Sequence, residues 1–257
     1  MNLPPMDGLL WLTGGLLLFI FVQRHLHFEL QAIFLLLTRR PTLSEGLFAL
    51  LFFPGTLLHE LSHYLTAKIL GVRTGRFSLT PQRLPNGRLQ LGFIETAPTD
   101  VFRDALIGLA PLITGGLLTA WLGLSRLGLG PVAEALGARN WPLFWQGLAD
   151  LPALPDFWLW FYLLLAISST MLPSASDRRA WLPVVSGLAL LLVLAILAGA
   201  GPWLLSHLSA PLNQGLRAIA VVFGISLVIH LVMLLPAWLI RTLISRLTGM
   251  EVRPGRV

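Results

Sequence analysis

Apolar residues fill long stretches of the chain, and only short polar segments interrupt them. Residues 187–205 and 218–240 are each long enough to cross a bilayer as a helix, which takes about 20 apolar residues. The pattern predicts an all-α polytopic membrane protein with about six transmembrane helices. We place these helices at residues 8–23, 43–71, 100–124, 156–172, 181–205 and 216–247.

Two segments depart from this pattern. Residues 24–41 contain an apolar run that is too short to span a bilayer, so we predict an interfacial segment there. Residues 72–97 are polar, and the alternation over Arg88–Glu95 is typical of a strand that faces a second run at Arg76–Thr80 across the turn at Pro85–Gly87. The sequence therefore predicts a small membrane-associated β-hairpin between the second and third transmembrane helices.

Composition and charge favour the same class of protein. The 257 residues are 55% hydrophobic and 12% charged, with a net charge of +6. Most of the arginines fall on one side of the predicted helices, among them Arg178 and Arg179 after the fourth helix and Arg241 and Arg246 in a predicted C-terminal tail. This asymmetry indicates cytoplasmic loops and not a nucleic-acid partner. The chain has no Cys, which excludes disulfides and thiolate metal ligands.

Three ionisable residues lie inside the second predicted helix, in an otherwise apolar stretch. His59 and His63 are four residues apart, so their imidazoles share a helix face and can bind one Zn²⁺. Glu60 lies beside the open coordination position, where it can accept a proton from a metal-bound water. This H-E-x-x-H arrangement is that of zinc peptidases. The alternative, histidines that only pack in the core, places three polar groups in an apolar span at roughly 2–3 kcal/mol each when unpaired.

A third protein ligand has to come from elsewhere in the chain. Most acidic residues, Glu29 among them, lie in predicted loops, at helix starts or on surface segments. Asp177 follows the fourth predicted helix, at the same end of the bundle as the two histidines, and Pro173 breaks that helix so that the turn can face the bundle. Ser174 and Asp177 also have the spacing of a capping box for the fifth helix, so both roles stay open.

Together these features resemble the site-2 protease family of intramembrane zinc metalloproteases. That family combines an H-E-x-x-H helix, a membrane-associated β-hairpin and a later aspartate ligand, and the likeness here runs from Thr42 to Arg179. The resemblance implies one Zn²⁺ per chain, held by His59, His63 and Asp177, with Glu60 as the general base. It is a divergent likeness, since no stretch of these residues resembles a PDZ domain and Arg178 stands where the family has glycine.

The resemblance also implies how a substrate binds. The predicted strand from Arg88 would accept an unwound substrate segment by strand addition. Thr114 stands where the family often has asparagine, and Ser169 and Thr170 stand near another such position; ordinary hydrogen bonds between helices are the alternative for all three. A lone His230 in the sixth helix is expected to bond to a neighbouring helix. The candidate substrate-binding residues are Arg88, Leu89, Gln90, Leu91, Gly92, Phe93, Thr114, Ser169 and Thr170.

We therefore expect a zinc-dependent endopeptidase that hydrolyses transmembrane segments near the cytoplasmic side of a prokaryotic inner membrane. Its partners would be transmembrane proteins or signal peptides, and the lipid bilayer. One membrane domain would cover residues 1–257, with an N-terminal part (1–41), a catalytic core (42–179, hairpin at 72–97) and two C-terminal helices (180–257). The alternatives are a membrane zinc peptidase with a glutamate as third ligand and a non-catalytic protein, pseudoprotease or transporter-like, that binds metal or client helices.

Overall fold

The computed structural model describes residues 7–83 and 89–252. Its helices are α1 (Gly8–Thr38), α2 (Pro41–Leu51), α3 (Phe53–Ile69), α4 (Val101–Trp121), α5 (Leu129–Gly137), α6 (Trp141–Asp150), α7 (Phe157–Thr170), α8 (Trp181–Ala195) and α9 (Gly201–Thr248). Its strands are β1 (Thr74–Ser78), β2 (Gln82–Arg83), β3 (Leu89–Gln90) and β4 (Phe93–Thr96). A π-helical turn follows α4 at Leu122–Arg126, another follows α8 at Ile196–Ala200, and a 3₁₀ turn follows α6 at Leu151–Ala153.

The long helices are those of an integral membrane protein in length and composition. Within the described ranges, three stretches are long and apolar enough to cross a membrane: Gly8–Thr38, Val101–Arg126 and Trp181–Thr248. The bent pairs α2–α3 and α6–α7 raise this number to five if each pair is one span. The structure therefore supports the all-α membrane class and does not confirm a count of six spans.

The first helix is longer than the sequence pattern predicted. α1 continues through residues 24–38, where we expected a separate interfacial segment. Leu26, Leu30 and Ile33 extend its buried stripe into the largest apolar cluster of the protein, which gathers around α7. The periodicity of these three residues, one helical turn apart, keeps the helix packed beyond the length that a bilayer requires.

Two ion pairs show that α1 and α9 run parallel to each other. Asp7 accepts from Arg217 at 2.5 Å at one end, and Glu29 accepts from Arg241 further along. Glu29 is buried, although we expected it on the surface, and Arg241 lies within α9 instead of in a tail. The carboxylate and the guanidinium enter the bundle as a pair because neither is stable there without the other.

The last two predicted helices are joined differently from what we expected. α9 continues without interruption through residues 206–215, where we predicted a loop. The helical path is instead interrupted earlier, by a kink at Gly199, whose φ is 89°. Asn213 explains this difference, because its side chain accepts a hydrogen bond at 2.7 Å from the backbone N–H of Gly8 at the start of α1. Asn213, a polar residue that we assigned to a loop, therefore connects two helices.

The polar segment after α3 forms two short antiparallel strand pairs. β1 pairs with β4, with Phe77 opposite Ile94, and β2 pairs with β3. The predicted turn at residues 85–87 and the candidate residue Arg88 lie outside the described residues. Among the residues that the structure describes, each strand is hydrogen-bonded to one neighbouring strand, so β4 pairs with β1 along one edge and has a second edge on its other side.

Candidate metal centre

The bend between α2 and α3 places the polar triplet in the middle of the bundle. The two helices meet at 70°, with Pro54 in the first turn of α3, so the single helix that we predicted over residues 43–71 is divided into two. α3 then continues to Ile69 with His59, Glu60 and His63 in one helical turn. The Nε2 atoms of the two histidines lie 3.2 Å apart.

Asp177 completes a group of three donors. Its Oδ2 lies 3.6 Å from Nε2 of His59, and its Oδ1 lies 3.4 Å from Nε2 of His63. Ligands that bind one tetrahedral Zn²⁺ at about 2.0–2.1 Å are about 3.3–3.4 Å from one another. The two carboxylate separations run to different oxygens of Asp177. With one donor atom taken from each residue, the three atoms lie within 4.8 Å of one another, which places them around a common point. No other group of three such side chains occurs among residues 7–83 and 89–252.

Backbone carbonyls orient both imidazoles. Nδ1 of His59 donates to the carbonyl oxygen of Thr170 at 2.6 Å, and Nδ1 of His63 donates to that of Ile107 at 2.8 Å. A carbonyl oxygen only accepts, so each neutral ring carries its proton on Nδ1 and presents the Nε2 lone pair to Asp177. Two lone pairs and a carboxylate directed at one point form a donor set that a cation stabilises.

The turn that carries Asp177 has the hydrogen bonds of the capping box that the sequence predicted, but it does not cap the fifth predicted helix. The Asp177 carboxylate accepts from the backbone N–H of Ser174 at 2.7 Å, and the Ser174 hydroxyl accepts from the N–H of Asp177 at 3.3 Å. This is the reciprocal bonding of a capping box. However, α8 begins only at Trp181, so the pair closes a local turn and does not start the helix. The turn fixes the carboxylate for the histidines.

α4 packs against the turn that carries Asp177 and supports it. A methyl group added at Gly108 would lie 1.9 Å from the carbonyl oxygen of Asp177, so the backbone of the turn rests directly on the helix. Arg179 donates two hydrogen bonds to Asp104, at 2.7 and 2.8 Å, and this bond raises the pKa of the Arg179 guanidinium. Bidentate pairs of this kind fix direction as well as distance.

Replacing Gly108 by Ala is expected to weaken zinc binding by about 10- to 100-fold, the range seen when groups that orient metal ligands are lost. The added methyl group has to displace the Asp177 backbone, which moves the carboxylate away from the histidines. Zinc affinity of the purified protein measures this effect. Gly14→Ala is the matched control, because a methyl group there meets no atom within 4 Å. Equal affinities for the two variants would contradict the role assigned to Gly108.

Glu60 is buried beside the donor group. Its side chain is within electrostatic range of His59, His63 and Asp177. A methyl group added at Gly92 would lie 3.0 Å from Cγ and 3.2 Å from Oε1 of Glu60. Gly92 was a candidate substrate-binding residue, and the structure places its backbone directly against the candidate general base.

A cavity of about 280 Å³ opens next to the donor group. His63 and Asp177 form part of its wall, and Ile94, Glu95 and Thr96 of β4 form another part. The hydrogen bond from Arg76 lowers the pKa of Glu95, which keeps this carboxylate ionised. The cavity thus connects a strand edge with two of the three donors.

The remaining candidate residues occupy different positions. Leu89 and Leu91 pack against the main apolar cluster, while Gln90 and Phe93 are half-buried in β3 and β4. Thr114 and Thr170 donate their hydroxyl hydrogens to carbonyl oxygens of their own helices. These placements bring the strand residues close to the site and leave the two threonine hydroxyls engaged with backbone.

Ser169 faces another helix. Its hydroxyl lies 2.9 Å from Nε2 of His230, whose Nδ1 donates to the carbonyl of Ser226, so His230 bonds to a neighbouring helix as predicted. The carbonyl of Ser169 also accepts from Gln23 of α1. Ser169 therefore ties α7 to α1 and α9 at the level of the candidate metal centre.

Sequence reasoning missed the groups that support the ligands. The carbonyls of Thr170 and Ile107 have no signature in the sequence, because every residue carries one. Gly108 and the pair of Asp104 and Arg179 are recognisable only once α4 is known to lie under the turn. The proximity of Arg179 to Asp177 in the chain was the one available signal.

Comparison of the chain with protein-family models, with curated proteins and with solved structures finds no match.

Proposed function

We propose that this protein is a zinc-dependent intramembrane endopeptidase. The observation that carries the proposal is the set of three donors, His59, His63 and Asp177, which lie within 4.8 Å of one another with a buried Glu60 beside them. Histidine and carboxylate donors without cysteine suit a catalytic zinc, which keeps one position for water. These groups lie in a bundle of long apolar helices, which supports a substrate that is itself in the membrane.

In this proposal each residue has a separate task. A bound zinc ion would lower the pKa of a water molecule and polarise the carbonyl under attack. Backbone carbonyls of α7 and α4 orient the imidazoles of His59 and His63, and the backbone N–H of Ser174 donates to the carboxylate of Asp177. Glu60 accepts the proton from the water and delivers it to the leaving nitrogen, the ordinary role of a carboxylate in general acid–base catalysis.

Substrate binding is proposed along the free edge of β4. A transmembrane substrate has to lose its helix locally before its peptide bond is accessible, and an extended segment then needs new hydrogen-bond partners. β4 is paired with β1 on one side, and the cavity beside it is bounded by His63 and Asp177. A segment added to this edge would lie next to the donor group, where the backbone of Gly92 packs against Glu60.

The finer features of location belong to the same proposal. We propose six spans, a hairpin associated with the membrane surface, and a prokaryotic inner membrane with the site towards the cytoplasm. The arginines of the hairpin and of the Asp177 turn, such as Arg76 and Arg179, support this orientation through the positive-inside rule. Substrates would be single-pass proteins or signal peptides whose cleaved bond lies near that side.

Removal of the metal tests the proposed function. Purified protein in vesicles, mixed with a panel of labelled transmembrane peptides, is expected to lose cleavage with ortho-phenanthroline and regain it with added Zn²⁺. The meta isomer, which does not chelate, is the control and is expected to leave cleavage intact. Cleavage that persists without metal would contradict the proposal. Stoichiometric zinc without cleavage of any peptide would favour the non-catalytic alternative.

A further inference from the structure

A guanidinium lies over two indole rings at the opposite end of α4 from the candidate metal centre. The guanidinium carbon of Arg126 lies 4.8 Å from the ring centroid of Trp121 and 5.1 Å from that of Trp160. The two indoles meet edge to face with centroids 6.2 Å apart. Both contacts are within the distance at which a cation is attracted to the face of an aromatic ring.

The π-helical turn at Leu122–Arg126 is what creates this arrangement. In an α-helix, residues five apart point about 140° away from each other, so Arg126 could not lie over Trp121. A π turn brings residue i+5 above residue i, and such turns recur at functional sites. Leu122 and Leu127, on either side of the arginine, are almost fully buried, which anchors the turn.

Arg126 has no carboxylate partner among residues 7–83 and 89–252. Six other arginines in these ranges form ion pairs with aspartate or glutamate: Arg76, Arg83, Arg103, Arg179, Arg217 and Arg241. The guanidinium lies over both indole rings, and Arg126 is exposed. A guanidinium held in this way presents parallel N–H donors that match two oxygens of a phosphate.

The position along the helix identifies the source of the phosphate. Arg126 is the last residue of the candidate span Val101–Arg126, where tryptophans and arginines meet lipid headgroups. Leu117 and Leu124, exposed on the same helix, offer apolar surface to an acyl chain. We propose that Arg126, clamped by Trp121 and Trp160, binds the phosphate of a phospholipid headgroup. This site is independent of the proposed peptidase activity.

Lipid titration of the delipidated full-length protein in detergent tests the assignment. Native mass spectrometry is used to count bound short-chain phosphatidylglycerol as its concentration rises. Arg126→Gln is expected to weaken the tightest binding event at least about tenfold, since a bidentate charge-assisted pair is lost. Arg139→Gln is the matched control, because Arg139 is exposed and forms neither an ion pair nor a cation–π contact in the described structure. Its affinity is expected to equal that of the wild type.

Three outcomes would overturn the proposal. Unchanged lipid affinity in Arg126→Gln would show that Arg126 does not bind the lipid. Equal losses of affinity in Arg126→Gln and Arg139→Gln would show that positive charge attracts the lipid without a specific site. Inorganic phosphate that displaces the lipid at equal concentration would make it a site for soluble anions. If Arg126→Gln does not fold, Arg126→Lys replaces it, and the expected loss is severalfold because an ammonium lacks the parallel donors. Unchanged affinity in the Lys variant would also contradict the proposal.

Discussion

Glu60→Gln is expected to abolish peptide cleavage while the protein keeps its zinc. The amide has nearly the same shape as the carboxylate but cannot accept a proton, and general base catalysis contributes about 10²- to 10⁴-fold in rate. Because Glu60 is not one of the three grouped donors, metal content is expected to stay at that of the wild type. Cleavage of the labelled peptides and zinc per chain are measured on the same sample.

The matched control for this substitution is Glu134→Gln. Glu134 is exposed on α5, in a part of the chain distant from the donor group, and the same chemical change there is expected to leave cleavage intact. Full cleavage by Glu60→Gln would remove the general base from the mechanism. Loss of zinc together with cleavage would instead place Glu60 among the ligands.

Asp177→Asn is expected to weaken zinc binding by more than about 100-fold. Loss of a residue that only hydrogen-bonds to a metal ligand weakens metal binding by about 10- to 100-fold. The effect is expected to be larger here, because the proposed ligand itself loses its charge. Asparagine keeps an oxygen that can accept from the N–H of Ser174, so the turn is expected to remain closed. Isothermal titration of the metal-free protein with Zn²⁺ measures the affinity.

Asp150→Asn, on an exposed position of α6, is the control and is expected to bind zinc like the wild type. The substitution at Asp177 also separates the two roles of that residue. Wild-type affinity in Asp177→Asn would return Asp177 to a purely structural role in the turn. A large drop in thermal stability without a change in affinity would have the same meaning.

The grouping of the two histidines was predictable from short-range spacing. His59 and His63 lie four residues apart, and a helix alone brings such positions onto one face. Asp177 required a second argument, that a break at Pro173 directs a polar turn into the bundle, and the structure brings this carboxylate to both rings. The proximity of the three donors could therefore be inferred from the periodicity of one helix and from the position at which another helix ends.

The length and connection of the helices were not predictable in the same way. A polar residue such as Asn213 reads as a loop in isolation, yet it caps the start of α1 from within α9. Glu29 reads as a surface residue until Arg241 is known to lie opposite it. Both depend on partners about two hundred residues away, and the hydropathy of a local window contains no information on them.

Zinc-edge X-ray absorption of the purified protein tests the central claim most directly. One zinc per chain is expected, with about two imidazole nitrogens and one or two oxygens at about 2.0–2.1 Å. In His63→Ala the imidazole signal should fall by half or the metal should be lost, while His25→Ala, an exposed histidine of α1, should match the wild type. Absence of bound zinc, or an all-oxygen shell that is the same in His63→Ala, would contradict it.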